Sequence, residues 1–307
     1  DTDENPFTFS VSGEIVEPPA PEIDIYAGID NTAPSISNGQ VTTIDFGSVL
    51  QGSDLVQTFA IENTGTADLS ISNITSSDAS FSISNSISTI AAGATETFSI
   101  SLSGSTVGSF TADITITNDD ADEGTFIFPV VGEITAPEIA LYAGSDNTGT
   151  SITSDQTEVI DFGSVLQGSD LVETFAIENT GTADLVISDI TSTDASFSIS
   201  SSISTIVAGA IETFIVTLSG STAGSFTADI TITNDDADEG TFVFPISGEI
   251  VAPAPEIGLY AGSDNTGASI NNNQTIAIDF GSILQGSDLV QTFAIENTGT
   301  ADLSISD

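Results

Sequence analysis

Ser109-Phe110-Thr111-Ala112-Asp113-Ile114-Thr115-Ile116-Thr117-Asn118-Asp119-Asp120-Ala121-Asp122-Glu123-Gly124-Thr125-Phe126-Ile127-Phe128-Pro129-Val130 is the stretch that decides the fold. Phe110, Ala112, Ile114 and Ile116 alternate with Thr111, Asp113, Thr115 and Thr117. An apolar period of two is that of a strand with one buried face. The run Asn118 to Gly124 then interrupts the pattern with residues that favour turns. Phe126, Phe128 and Val130 resume the alternation on the far side, so the segment reads as strand, acidic turn, strand. The same alternation occurs in Thr97 to Leu102, Leu69 to Ile71 and Leu55 to Glu62, the last closing in the turn signal Asn63-Thr64-Gly65-Thr66. No stretch carries the apolar period of a helix, and Thr, Ile, Val and Phe are the residues that suit a pleated surface.

The pattern repeats along the chain. Phe46 to Leu69 recurs at Phe162 to Leu185 with Gln57 replaced by Glu173, and at Phe280 to Leu303 with Val49 replaced by Ile283. Tyr26, Tyr142 and Tyr260 mark one position in each copy, and the acidic run recurs as Asn234 to Gly240. Length varies only at Val16-Glu17-Pro18-Pro19-Ala20-Pro21, Thr135-Ala136-Pro137 and Val251-Ala252-Pro253-Ala254-Pro255, which read as linkers. The expected division is a closing strand of one repeat in residues 1–16, full repeats in 17–135 and 136–252, and the first half of a further repeat in 253–307. Each full repeat is expected to hold seven to nine short strands, which suits a β-sandwich. Asp1 aligns with Asp120 and Asp307 with Asn73, so the chain is expected to be a window on a longer array.

Composition narrows the function. The chain has 45 Asp and Glu and not one Lys, Arg, His, Cys, Met or Trp, for a net charge of −45. Nucleic-acid binding requires cations to neutralise phosphate, and none is present. General-base His, nucleophilic Cys and Schiff-base Lys are equally absent, which leaves carboxylates, hydroxyls and three Tyr. No enzyme is expected. Hydrophobic residues at 39%, including 18 Phe, separate the chain from highly charged disordered sequences. No apolar run is long enough for a membrane span.

Ile44-Asp45-Phe46-Gly47, Phe59-Ala60-Ile61-Glu62-Asn63-Thr64-Gly65-Thr66-Ala67-Asp68-Leu69, Ile114-Thr115-Ile116-Thr117-Asn118-Asp119-Asp120 and the opening Asp3-Glu4-Asn5-Pro6-Phe7-Thr8-Phe9 resemble the choice-of-anchor D repeat family, bacterial relatives of the Hydin-like domains. That resemblance implies an all-β chain of tandem immunoglobulin-like β-sandwich domains joined by short Pro-rich linkers. It also implies a setting in very large secreted or surface-anchored bacterial proteins.

The acidic turns are the candidate site. Asp119, Asp120, Asp122 and Glu123, with Asp235, Asp236, Asp238 and Glu239 in the second copy, offer oxygens suited to Ca²⁺. The alternative is a solvated hairpin turn, since the spacing is not that of an EF-hand. Gly144-Ser145-Asp146-Asn147-Thr148, echoed at Gly262 to Thr266, is a second, weaker loop candidate. Asp45-Phe46-Gly47 spells a kinase metal motif, but a kinase needs Lys and Arg elsewhere, and Phe46 reads as core. The Tyr residues are expected to pack beside the linkers, with a sugar-stacking role as the alternative. Sequons at Asn73-Ile74-Thr75 and Asn273-Gln274-Thr275 are not shared between repeats.

Near-identical consecutive modules add reach rather than chemistry. The expected function is the structural shaft of a giant extracellular bacterial surface adhesin or filament involved in cell-surface attachment. Lateral association into a homo-oligomer is expected, with a cell-surface or host or prey ligand left unidentified. The alternative is a carbohydrate- or Ca²⁺-binding module train of a secreted enzyme. Exposed aromatic residues would favour the alternative; here Phe falls on the buried phase.

Overall fold

Side chains that alternate along a strand bury their apolar half only when a second sheet covers it, and this requirement builds the structure. The computed structural model describes residues 3, 6–84 and 86–306. Two compact units are present, residues 1–137 with 181–183 and residues 138–180 with 184–307. Every regular element among the described residues is a strand, and none of them forms a helix long and apolar enough to cross a membrane.

The first full repeat contains β1 (Ile23–Tyr26), β2 (Ser35–Ile36), β3 (Ile44–Leu50), β4 (Asp54–Asn63), β5 (Leu69–Ser76), β6 (Phe81–Ser84), β7 (Thr89–Ile90), β8 (Thr95–Ser103), β9 (Gly108–Asn118) and β10 (Thr125–Thr135). That is more than the seven to nine strands expected, because β2 and β7 are two-residue edge pieces too short to show a period. The strands form two five-stranded sheets, ordered β2-β1-β4-β8-β6 and β3-β10-β9-β5-β7. All pairings are antiparallel except β3 with β10, which run parallel and join the early part of the repeat to its last strand. The second repeat follows the same plan with β11 (Ile139–Ala143), β12 (Thr150–Ile152), β13 (Ile160–Leu166), β14 (Leu171–Asn179), β15 (Leu185–Ser192), β16 (Phe197–Ser200), β17 (Thr205–Ile206), β18 (Ile211–Leu218), β19 (Gly224–Asn234) and β20 (Thr241–Val251).

The expected phase is the observed one. Ala112, Ile114 and Ile116 of β9 and Phe126, Phe128 and Val130 of β10 are buried. Phe59 of β4 lies at the centre of the core, its ring centroid 6.3 Å from Phe46, 5.6 Å from Phe98 and 5.6 Å from Phe128. Burial of each such ring contributes roughly 1.5–3 kcal/mol. Phe46 is thus a core residue, as its place in Asp45-Phe46-Gly47 suggested. Gly47 adopts φ +79°, and its N–H donates to Asp45 Oδ1 at 2.7 Å, so the motif makes a tight turn. Gly132 lies where β10 shifts register against β3, and a Cβ there would overlap Leu102 Cδ2 and come within 3.1 Å of Phe46 Cβ.

The flanking segments differ from the full repeats. The strand expected around Phe7-Thr8-Phe9 is not formed, and Phe7 and Phe9 are 77% and 76% exposed. The physical reason is that its equivalent, β10, is held between β3 and β9, and a strand without neighbours leaves its amides unpaired. Glu4 and Asn5 of the opening motif, like Asp1, Thr2 and Asp307, lie outside the described residues. The last segment forms a three-stranded sheet of β21 (Ile257–Ala261), β22 (Ala268–Ser269) and β23 (Phe293–Asn297), ordered β22-β21-β23.

Candidate metal centre

The acidic turn between β9 and β10 is built on Asn118, the last residue of β9. Its N–H donates to Gly124 O at 3.0 Å, closing the hairpin. Its Oδ1 accepts from the Asp120 N–H at 2.8 Å, and its Nδ2 donates to Glu123 O at 2.8 Å. One amide side chain therefore fixes the turn at two points, which is the local use of Asn in such loops.

The turn is also tied to the opposite sheet. Asp120 is only 4% exposed, and its Oδ2 accepts from the Ile23 N–H of β1 at 2.9 Å. Its Oδ1 accepts from the Asp122 N–H at 3.3 Å. This places Glu22, the residue just before β1 and just after the Pro-rich linker, beside the turn. Carboxylate oxygens of Glu22, Asp120, Asp122 and Glu123 all lie within 4.8 Å of one another. Glu22 itself is positioned by Asn63, a fully buried side chain whose Oδ1 accepts from Glu22 N at 3.3 Å and Gly65 N at 3.1 Å. Asn63 Nδ2 donates to Ala67 O at 2.7 Å and Ile90 O at 2.9 Å. The linker end is fastened to the turn that follows β4, since Thr66 N donates to Ala20 O at 2.8 Å and Thr64 N to Glu22 O at 2.9 Å.

The second repeat reproduces the arrangement with Glu138, Asp236, Asp238 and Glu239. Ile139 N donates to Asp236 Oδ2 at 2.8 Å, and Asn234 bridges Asp236 N and Glu239 O at 2.8 Å each. In both copies one carboxylate oxygen, Glu123 Oε2 and Glu239 Oε2, is enclosed by protein and has no hydrogen-bond partner.

Asp120, Asp122 and Glu123 come together as the sequence suggested, and so do their counterparts, but Asp119 and Asp235 do not join them. Asp119 Oδ1 instead accepts from Ser70 N at 2.7 Å, and Asp235 Oδ1 from Val186 N at 2.7 Å, capping the start of β5 and β15. The sequence reading missed Glu22 and Glu138. The available signal was a Glu directly after the linker in all three copies, Glu22, Glu138 and Glu256. In the second candidate loop, Asp146 Oδ1 accepts from the Thr148 N–H at 2.9 Å and hydroxyl at 2.6 Å, and Asp264 does the same with Thr266. Those Asp residues hold a local turn. Each Tyr sits on a strand paired with one that carries a Glu: Tyr26 with Glu62, Tyr142 with Glu178 and Tyr260 with Glu296.

Crowded carboxylates resist ionisation. Burial, followed by the charges of Asp120, Asp122, Glu123 and Asp24, raises Glu22 above the usual Glu value. Burial and then the charges of Asp122, Asp120 and Asp24 do the same to Glu123, and Glu138 and Glu239 are raised for matching reasons. In contrast, hydrogen bonds from Thr32, Ser70, Thr148 and Ser196 hold Asp30, Asp119, Asp146 and Asp194 below the usual Asp value.

The sign of the pH dependence follows. Groups raised on folding favour the folded state when protonated, and that contribution is lost as pH rises through their folded values. Groups lowered on folding stabilise above 3.8 and lose that effect as pH falls through their folded values. In cation-free buffer, Tm is therefore expected to rise as pH falls from 7 toward 4.5 and to fall again below 3.8. Replacing Glu22 and Glu123 by Gln should flatten the upper limb for the first repeat. A calorimetric pH series checks both limbs; a Tm that falls throughout acidification contradicts the account.

The fold defines a class: tandem immunoglobulin-like β-sandwiches. The family model for the HYDIN/CFA65/VesB-like Ig-like domain matches residues 40–128 and 154–247, and the chain belongs to that family. No curated protein matches. Among solved structures, the PapD-like domain 7 of human CEP192 is 16% identical, with 41% of this chain and 96% of that chain covered at a TM-score of 0.30. The C-terminal domain of the Streptococcus agalactiae AgI/II polypeptide BspA is 11% identical, with 75% and 99% covered at 0.29. The two immunoglobulin domains of DIP-gamma are 11% identical, with 70% and 98% covered at 0.31.

Proposed function

We propose that this chain is a structural segment of a large extracellular bacterial surface protein of the choice-of-anchor D kind, the shaft of an adhesin or filament. The observation that carries this reading is where the aromatic residues lie. No Phe or Tyr of either full sandwich is exposed, and the half-buried Phe110 and Phe226 pack against the cores. A module that grips sugars needs an aromatic face open to solvent; a module that adds reach needs only a filled core and a polar skin. The repetition of whole modules with scarcely altered loops supports the same reading.

The composition suits an exposed setting. Without Lys or Arg, trypsin-like proteases have no cleavage site, and without Cys, Met or Trp little is readily oxidised. Disulfides and Lys–Asn cross-links are excluded, so strength rests on sheet hydrogen bonds, burial, lateral association between copies and bound cations.

A glycan array separates this reading from a carbohydrate-binding module train. The full chain, labelled at an added terminal tag, is expected to bind no glycan at micromolar concentration. Saturable binding of one glycan class, lost on mutating exposed residues of a full sandwich, would replace the shaft with the binding train.

A further inference from the structure

We propose that each full repeat binds one Ca²⁺-like divalent cation between the Glu that follows the linker and the acidic hairpin turn. The ligand groups are Glu22, Asp120, Asp122 and Glu123 in the first repeat, and Glu138, Asp236, Asp238 and Glu239 in the second. The ion clamps the entry of β1, in one sheet, to the β9–β10 hairpin of the other.

Two observations carry the inference. The first is the gathering of four carboxylates within 4.8 Å in a chain that has no Lys, Arg or His to neutralise them. The second is the enclosed, unbonded oxygen on Glu123 and Glu239. A buried acceptor left without a partner costs about 1–3 kcal/mol, and more when charged. Native structures rarely leave one unexplained, and a bound water or ion is the usual explanation at such a site. The same oxygen is left unbonded in both repeats.

The donor chemistry selects the ion. All ligand side chains are hard oxygens, and the absence of His and Cys disfavours zinc and softer metals. Ca²⁺ accepts 6–8 oxygens in adaptable geometry, whereas Mg²⁺ demands a tight octahedron and keeps its waters. Sites of this kind in extracellular modules bind in roughly the 10⁻⁴–10⁻³ M range. The final segment provides an internal control, because Glu256 has no acidic hairpin after it in this chain.

Isothermal titration of the chelator-treated 307-residue chain with CaCl₂ tests the proposal. The expected result is two sites per chain. Glu22→Gln or Glu123→Gln is expected to reduce this to one, and combining either with Glu239→Gln to abolish binding. In calorimetry at fixed ionic strength, Ca²⁺ should raise both melting transitions and Mg²⁺ should do so much less. Without Ca²⁺, Glu22→Gln should melt no lower than the parent, because it relieves repulsion, and this separates loss of a ligand from loss of the fold. Absence of saturable binding overturns the proposal, as does identical action of Ca²⁺ and Mg²⁺. Retention of two sites in Glu22→Gln overturns the clamp. None of these outcomes bears on the shaft reading, which the glycan array tests separately.

Discussion

Phe59→Ala is expected to lower the melting transition of the first repeat by about 10–25 °C. The ring is fully buried and touches Phe46, Phe98 and Phe128, so no single neighbour can collapse into the space it leaves. Truncating a core Phe typically costs about 3–5 kcal/mol, and each kcal/mol moves Tm by roughly 4 °C or more in a domain near this size. The effect should stay in one repeat. The core around Phe59 and the core around its counterpart Phe175 share no residue. Differential scanning calorimetry should therefore show one transition displaced and the other unmoved, and Phe175→Ala should give the converse. Two transitions that shift together would mean that the sandwiches unfold as one cooperative body.

Asn63→Ala is expected to cost about as much, through polar groups rather than volume. Its amide serves four backbone partners: the carbonyls of Ala67 and Ile90, and the N–H groups of Glu22 and Gly65. Each buried partner left unbonded costs roughly 1–3 kcal/mol, so a total of about 3–5 kcal/mol is expected. The substitution also frees Glu22 from the backbone bond that positions it. Stability measured by urea unfolding should fall, and Ca²⁺ affinity of that repeat should fall with it. A loss below about 1 kcal/mol would show that solvent replaces the amide freely, contrary to its burial.

Much of this fold is legible in the residues themselves. The alternation of Ala112, Ile114 and Ile116, and of Phe126, Phe128 and Val130, gives both strands and their inward faces without reference to anything distant. β5 shows where local reading stops. Leu69 and Ile71 are buried in phase, but a register shift between Ile71 and Asn73 puts Ile74 inside instead of Asn73. A bulge of that kind is set by the partner strand. The parallel pairing of β3 with β10 is likewise invisible locally, since nothing in Ile44–Leu50 records that Thr125–Thr135 will lie beside it.

The candidate site divides in the same way. The hairpin carboxylates are adjacent in sequence, so their clustering was readable. That Asp120 turns toward β1 while Asp119 turns toward β5 depends on which sheet edge each one meets. Glu22 enters the cluster because Ile23 and Asp120, 97 residues apart, are hydrogen-bonded. No spacing rule reaches across that distance.

Immunogold electron microscopy of intact, unpermeabilised cells, with an antibody raised against residues 17–252, distinguishes an extracellular shaft from a protein held inside the cell. Gold is expected on extracellular fibres, at many positions along each one, because near-identical modules carry the epitope repeatedly. Label that appears only after the cells are opened would contradict the shaft reading.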